Sequence, residues 1–295
     1  MTSNILGATI AIIGTIFASL GNEIISKSQK KIGKEKCAYI FVGNVLFTGI
    51  LGTSCGIIAL AYAPQSVIAP IGGLIILWNI LITGNVKRGQ IIGCIITIIG
   101  IMLVLFCGPQ ENEIIENKGI NVMKNENFKL LTLLYIIIAI TMYIKKGKYE
   151  SGIIGGVIGG ITDVYVKASL QYYLEKEEED GIKNEIEYML IIRAITLAII
   201  QLGLINKALL TYPVNIIVPI YTISLMICST ISGGIAFNEF KNVTYIMYIG
   251  FFIGIILCTN AVIYLSTFII IKEEEEEEEE EKKEKNEKKE NCHVI

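Results

Sequence analysis

Histidine is almost absent from this chain: the single one, His293, stands near the C-terminal Ile295. That excludes imidazole general-base catalysis and histidine-ligated zinc from the first 271 residues. Cysteine occurs seven times, yet without a C-x-x-C pair or a metal-ligand spacing. Cys55, Cys94, Cys228 and Cys258 fall inside apolar segments and Cys107 closes one. A thiol there behaves as a small hydrophobe, and an odd count offers no disulfide framework. Aromatic residues make up only 8% of the chain. No basic face interleaved with aromatics can be drawn, which excludes a nucleic-acid partner. The net charge of −3 misrepresents the body of the molecule. Residues 272–295 hold six lysines and twelve glutamates; the other 271 residues hold 19 basic and 16 acidic side chains and net +3. No catalytic residue and no cofactor are predicted.

What is abundant is apolar. Hydrophobic residues reach 53% and the mean hydropathy is +0.59, beyond the usual range of a soluble domain. Nine segments read as membrane helices: about 4–25, 38–62, 66–84, 90–107, 129–144, 151–173, 188–210, 215–237 and 244–270. The fifth is the weakest, being short and closed by Lys145-Lys146. The first apolar run opens at Ile5 with no basic residue before it and reads as a retained span. The predicted fold is an all-α polytopic membrane protein. Counting basic residues puts eleven in the loops on one side and six on the other, so the N-terminus is expected outside or in a lumen and the C-terminus in the cytosol. Whether the membrane is plasma or internal stays open at this point.

Five prolines are present, and four of them form a pattern. Ala63-Pro64-Gln65-Ser66-Val67-Ile68-Ala69-Pro70 and Tyr212-Pro213-Val214-Asn215-Ile216-Ile217-Val218-Pro219 carry their prolines at one offset, 149 residues. Proline in apolar sequence frees backbone carbonyls, which in a membrane must be buried in protein or line a cavity. Matching interruptions in two halves mark the binding region of a repeat-built transporter. The predicted domain, 1–271, thus divides into repeat one (about 4–107), a linker span (129–144) and repeat two (about 151–270). A displacement of five spans is odd, so the halves are expected to be inverted. Residues 272–295 are expected to be a disordered acidic tail.

At these residues the chain resembles the NIPA magnesium transporters of the drug/metabolite transporter superfamily. The first half carries Ala61-Tyr62-Ala63-Pro64, Ala69-Pro70-Ile71-Gly72-Gly73, Ile92-Gly93-Cys94, Gly100 and Gly108-Pro109. The second carries Gln201, Asn206-Lys207-Ala208-Leu209, Val218-Pro219-Ile220-Tyr221 and Asn238-Glu239-Phe240. The resemblance covers roughly residues 4 to 265 and implies a nine-span carrier with Mg²⁺ as cargo in a lipid bilayer. It also lends weight to Gln201 and Asn206 as pathway residues. The chain departs from the family where Thr53 and Gly56 replace an acid and an amide, and at Val86-Lys87-Arg88, which bears on ion specificity rather than fold.

Ionisable residues inside spans are functional candidates by default. Glu23 and Lys27 lie one turn apart, as do Asp163 and Lys167, at a shared offset of 140. Glu23 and Asp163 are the candidate metal residues, holding a hydrated magnesium ion through its waters beside Pro64, Pro70, Pro213 and Pro219. The competing reading is that each lysine neutralises its own acid within the helix. Asn44, Asn79, Gln201, Asn206 and Asn260 are further polar groups in spans, expected mostly to bridge helices. Gly152, Gly155, Gly156, Gly159 and Gly160 predict close helix packing along the sixth span. Acids in the two outer loops, with residues 174–187 alone at −5, would concentrate cations. Gly52-Thr53-Ser54-Cys55-Gly56 matches the hydrolase elbow but lies in a helix without a histidine, a chance match. Asn242-Val243-Thr244 is a glycosylation sequon abutting a span. Cys292, four from the end with Val294 third, is a candidate prenylation site, although His293 and Ile295 are not preferred there. Beside magnesium transport, two other functions fit: a small organic metabolite carrier, and a non-transporting adaptor acting through its tail.

Overall fold

A computed structural model describes residues 2–28, 33–83, 88–109, 122–145, 147, 149–174 and 181–267. Residues 110–121 and 175–180, with most of the outer-loop acids, and the tail with Cys292 lie outside the described residues. Among the described residues nine helices are long and apolar enough to cross a membrane. They are α1 (Ser3–Ser28), α2 (Lys34–Tyr62), α3 (Gln65–Ile82), α4 (Arg88–Cys107), α5 (Glu126–Lys145), α6 (Glu150–Leu174), α7 (Tyr188–Thr211), α8 (Val214–Ala236) and α9 (Tyr245–Thr267). The shortest, α3 with 18 residues, reaches about 27 Å at 1.5 Å per residue, close to the hydrocarbon thickness. The weak fifth segment is α5, a full 20-residue helix. The protein is therefore a polytopic all-α membrane protein.

Burial recurs at a displacement of five helices. Within their most apolar stretches α1 and α6 are 50% and 61% buried, and α3 and α8 are 56% and 44% buried. Their neighbours α2 and α7 are only 11% and 17% buried, and α4 and α9 are each 33% buried. Helices five apart thus hold equivalent places: α1, α3, α6 and α8 form the centre and the rest form the rim. The outer face of α4, with Ile91, Ile95, Ile98 and Met102 exposed, is apolar as a lipid-facing surface must be.

Glycines set the closest crossings. A Cβ at Gly160 would stand 2.7 Å from the backbone of Cys228 and Ser229, so α6 meets α8 backbone to backbone there. Likewise a Cβ at Gly254 would lie 2.8 Å from the Gly100 carbonyl oxygen, joining the equivalent helices α4 and α9. Small residues permit this approach in a bilayer, where dispersion rather than water release holds helices together.

The proline breaks share one local geometry. Pro64 and Pro213 precede α3 and α8 with φ, ψ of −57°, 142° and −58°, 141°. Three backbone hydrogen bonds recur at offset 149: Ala63 to Ala59 and Tyr212 to Ala208, Val67 to Pro64 and Ile216 to Pro213, Ile68 to Pro64 and Ile217 to Pro213. The second prolines differ: the helical turns begun at Gln65 end at Ile71, one residue after Pro70, and resume at Leu74, whereas Pro219 lies inside an uninterrupted helix and corrects the expectation of a break there. The missing N–H of Pro219 weakens α8 without ending it. After Pro70 the chain tightens through Gly72 and Gly73, whose N–H groups bond the carbonyls three residues back. At the equivalent place α8 runs straight on through Tyr221 and Thr222. The halves differ most here.

In α2, Phe41–Gly52 winds as a π-helix, with side-chain bonds from Thr48 to Gly43 and from Thr53 to Thr48 spanning five residues. Local widening of this kind often accompanies functional sites. Thr53 is exposed on the rim, and a Cβ at Gly56 would meet nothing within 4 Å, so neither faces the central helices as a ligand.

Candidate cation site and its cap

α6 and α8 cross at Gly160, and Asp163, three residues further along α6, meets Ser229 of α8. The Ser229 hydroxyl donates to Asp163 Oδ2 at 2.7 Å. It accepts from Gln65 Nε2 at 3.0 Å, while the same amide nitrogen lies 3.1 Å from the Ser229 carbonyl oxygen and 3.4 Å from that of Gly160. Gln65 is the first residue of α3, 1% exposed, and its Oε1 has no hydrogen-bond partner. Thr222 and Thr230, buried on α8, also carry hydroxyls without partners. A carboxylate bonded to a serine hydroxyl, with a buried amide on that same serine, offers oxygen donors of the kind a hard divalent cation takes. Among the described residues no three of His, Cys, Asp and Glu come together, so a protein-only cage is not what these groups form. One carboxylate with neutral oxygens suits an ion that keeps most of its waters.

Lys167 is not the partner of Asp163, against the reading that the i, i+4 spacing neutralises the acid. Its side chain is 1% exposed, and Nζ lies 3.3 Å from Glu239 Oε1, donates to the Ala63 carbonyl at 3.0 Å and stands over the Phe237 ring. Glu239 reaches across the halves. Its Oε1 accepts from the Gln65 N–H at 2.8 Å and its Oε2 from the Ser66 N–H at 3.0 Å. These are first-turn N–H groups of α3, which Pro64 leaves without a local side-chain cap. A carboxylate at a helix N-terminus is favoured by the helix dipole as well.

The loop that aims Glu239 explains its neighbours. Asn238 has φ of 49°, a left-handed conformation that asparagine tolerates, and it closes α8. The Glu239 N–H bonds back to Gly234, completing the turn. Phe240 packs on Gly234 and on Phe251, Phe252 and Tyr248 of α9. Asn238-Glu239-Phe240 is therefore a helix stop, a cap for a distant helix and an anchor.

A family model described as Magnesium transporter NIPA matches residues 2–273. The chain belongs to that family. Probable magnesium transporter NIPA1 of Arabidopsis thaliana is 24% identical over 265 residues, covering 81% of this chain and 78% of that protein. Magnesium transporter NIPA3 of Homo sapiens is 22% identical over 266 residues, covering 81% of this chain and 64% of that protein. No solved structure matches the chain.

Within this NIPA chain the remaining predicted residues divide. Gln201 of α7 donates to the Tyr221 hydroxyl at 2.6 Å, beside Gly159 of α6, and Tyr221 is within electrostatic reach of Asp163. Asn206 of α7 accepts from Asn44 of α2 at 2.6 Å, a bridge between the halves. Asn79 accepts from Ser19, joining α3 to α1, while Asn260 bonds only its own helix at Ile256. Glu23 pairs with Lys27 at 3.4 Å, as the spacing predicts, with the lysine largely exposed. The structure does not bring Glu23 to Asp163. Glu23 is five residues from the end of α1, and Asp163 is thirteen from the start of α6. With both ends on one side, helical rise puts about 12 Å between them along the membrane normal. That is more than one hydrated magnesium ion bridges. Ile25, two residues beyond Glu23, packs with Val214, Ile217 and Val218, so Glu23 belongs to the Pro213 end. The pairing of Lys167 with Glu239 escaped the sequence reading. Its signal was an acid closing an apolar helix inside the Asn-Glu-Phe motif.

Proposed function

We propose that this chain carries magnesium across a membrane by alternating access, with Asp163 as the carboxylate that holds the hydrated ion. The observation that carries the reading is the freedom of that carboxylate. Lys167 is paired with Glu239, and Asp163 accepts a hydrogen bond from the Ser229 hydroxyl, so its negative charge is available to a cation. The names of the relatives supply the identity of the ion.

In this reading the two halves are inverted repeats that rock about the α6–α8 crossing, and the N-terminus faces outside or a lumen. Gln65 Oε1, Ser229 Oγ and the Thr230 hydroxyl accept from the ion's waters around Asp163. Magnesium releases its inner waters reluctantly, so recognition through them is the economical route. Glu23 then serves as a station at the Pro213 end rather than as a second ligand of the same ion. Cys292 and the acidic tail have no part in transport.

Uptake of Mg²⁺ into liposomes containing the purified chain tests this, read with an indicator trapped inside. Uptake well above that of empty liposomes is expected, with at least a tenfold fall for Asp163→Asn when the variant stays monodisperse and helical. No uptake by the wild type, or equal uptake by the variant, contradicts the proposal.

A further inference from the structure

The cation site and the α8–α9 loop share one residue. Gln65 is held by its backbone N–H to Glu239 and by its side chain to Ser229, which in turn holds Asp163. A linked path therefore runs from a carboxylate within the span to an ion pair at the Pro64 end of the bundle.

The ion pair divides unevenly between the halves. Lys167 and Glu239 both belong to the second half, and their side chains are 1% and 5% exposed. Beside the ion pair and the Phe237 ring, three hydrogen bonds join them to the first half: to the Ala63 carbonyl and from the Gln65 and Ser66 N–H groups. If the halves separate at this end, those three hydrogen bonds break while the ion pair stays whole. No lone charge is exposed to lipid in the movement, which would cost far more than three hydrogen bonds. The groups that part, a carboxylate face, two N–H groups and a carbonyl, are each satisfied by water that enters as the end opens.

We infer that Lys167 and Glu239 form a gate that closes the Pro64 end, and that Gln65 couples it to the occupancy of Asp163. The coupling rests on the magnesium reading above; the closure does not. Gln65 Oε1 is a buried acceptor with no partner, so a hydrated cation at Asp163 gives it one. Turning the amide toward the ion removes Nε2 from Ser229 and Gly160 and draws the start of α3 away from Glu239. Glu239 and Lys167 are positioning residues here and touch no cargo.

Ser66 supplies a reporter. It is 0% exposed beneath the gate and its hydroxyl has no hydrogen-bond partner, so Ser66→Cys is a mild change. The measurement is the rate at which that cysteine forms a mixed disulfide with a charged thiosulfonate, releasing sulfinate, in the purified full chain. Peptide mass mapping separates it from native cysteines. In the Ser66→Cys protein the rate is expected to be slow and to change at least threefold on saturation with Mg²⁺. Adding Glu239→Gln with Lys167→Met, which removes both charges together and leaves none buried alone, should raise the rate about tenfold, because charge-assisted hydrogen bonds to the α3 start are lost. Adding Asp163→Asn instead should abolish the magnesium effect and keep the slow rate. Equal rates with and without the two charges, in protein that remains folded by gel filtration, overturn the gate. A magnesium effect that survives Asp163→Asn overturns the coupling. If small organic solutes shift the rate and magnesium does not, the gate stands and the magnesium reading fails.

Discussion

Replacing Lys167 by methionine removes an ammonium whose surroundings exclude water. The side chain is 1% exposed, and among the contacts that disappear with the charge are the 3.3 Å ion pair with Glu239, the 3.0 Å hydrogen bond to the Ala63 carbonyl and the approach to the Phe237 ring. Glu239, at 5% exposure, is left buried with only the Gln65 and Ser66 N–H groups as donors. Breaking one partner of such a pair costs about 3–5 kcal/mol, most of it the charge left behind. The double variant Lys167→Met with Glu239→Gln removes that charge, and its amide oxygen still accepts from the Gln65 N–H. It should lose only the hydrogen bonds not replaced, about 1–3 kcal/mol. The double variant is thus expected to be more stable than Lys167→Met alone by roughly 2 kcal/mol, and its loss falls well short of the sum of the two single losses. Reversible unfolding of the purified protein in mixed micelles, followed by the helical signal, measures all four corners of the cycle. A double variant whose loss equals the sum of the two single losses would refute the buried pair.

Other expectations follow from the same contacts. Gly160→Val drives a branched side chain into the Cys228–Ser229 backbone and should cost about 1–3 kcal/mol or more by overpacking, whereas Gly203→Ala, with nothing within 4 Å, should be close to neutral; the same unfolding assay separates them. Asn44→Ala and Asn206→Ala each break the bridge between α2 and α7 and should cost about 0.6–2 kcal/mol, with the pair together costing less than the sum. Tags at residue 1 and residue 180 should be accessible on one side of the membrane and a tag at residue 295 on the other; both termini on one side would contradict the inverted repeat.

The matching breaks at Pro64 and Pro213 were legible because proline has few uses in a membrane helix. Pro64 and Pro213 recur at one offset, and the same hydrogen bonds recur with them. The sequence could not tell a breaking proline from a tolerated one. Pro219 looks like Pro213, yet it falls after the first turn of a helix already begun, where packing holds the chain helical, whereas the helical turns carrying Pro70 end one residue later at Ile71. The partner of Lys167 was hidden for a different reason. Spacing on one helix permits a bond to Asp163, but Glu239, 72 residues away, also meets two N–H groups that Pro64 leaves bare. Such a three-way match depends on tertiary geometry that no local pattern encodes. Asn44 and Asn206 were legible as bridging types, but their partnership with each other was not.

Equilibrium binding of Mg²⁺ to the purified full chain, by titration calorimetry, tests the role of Asp163 most directly. The wild type should show one saturable site per chain, lost in Asp163→Asn and kept in Glu23→Gln, because Glu23 lies at the other end of the pathway and is already paired with Lys27. A site that persists in folded Asp163→Asn, or that vanishes in Glu23→Gln instead, would contradict the assignment of the ion to Asp163.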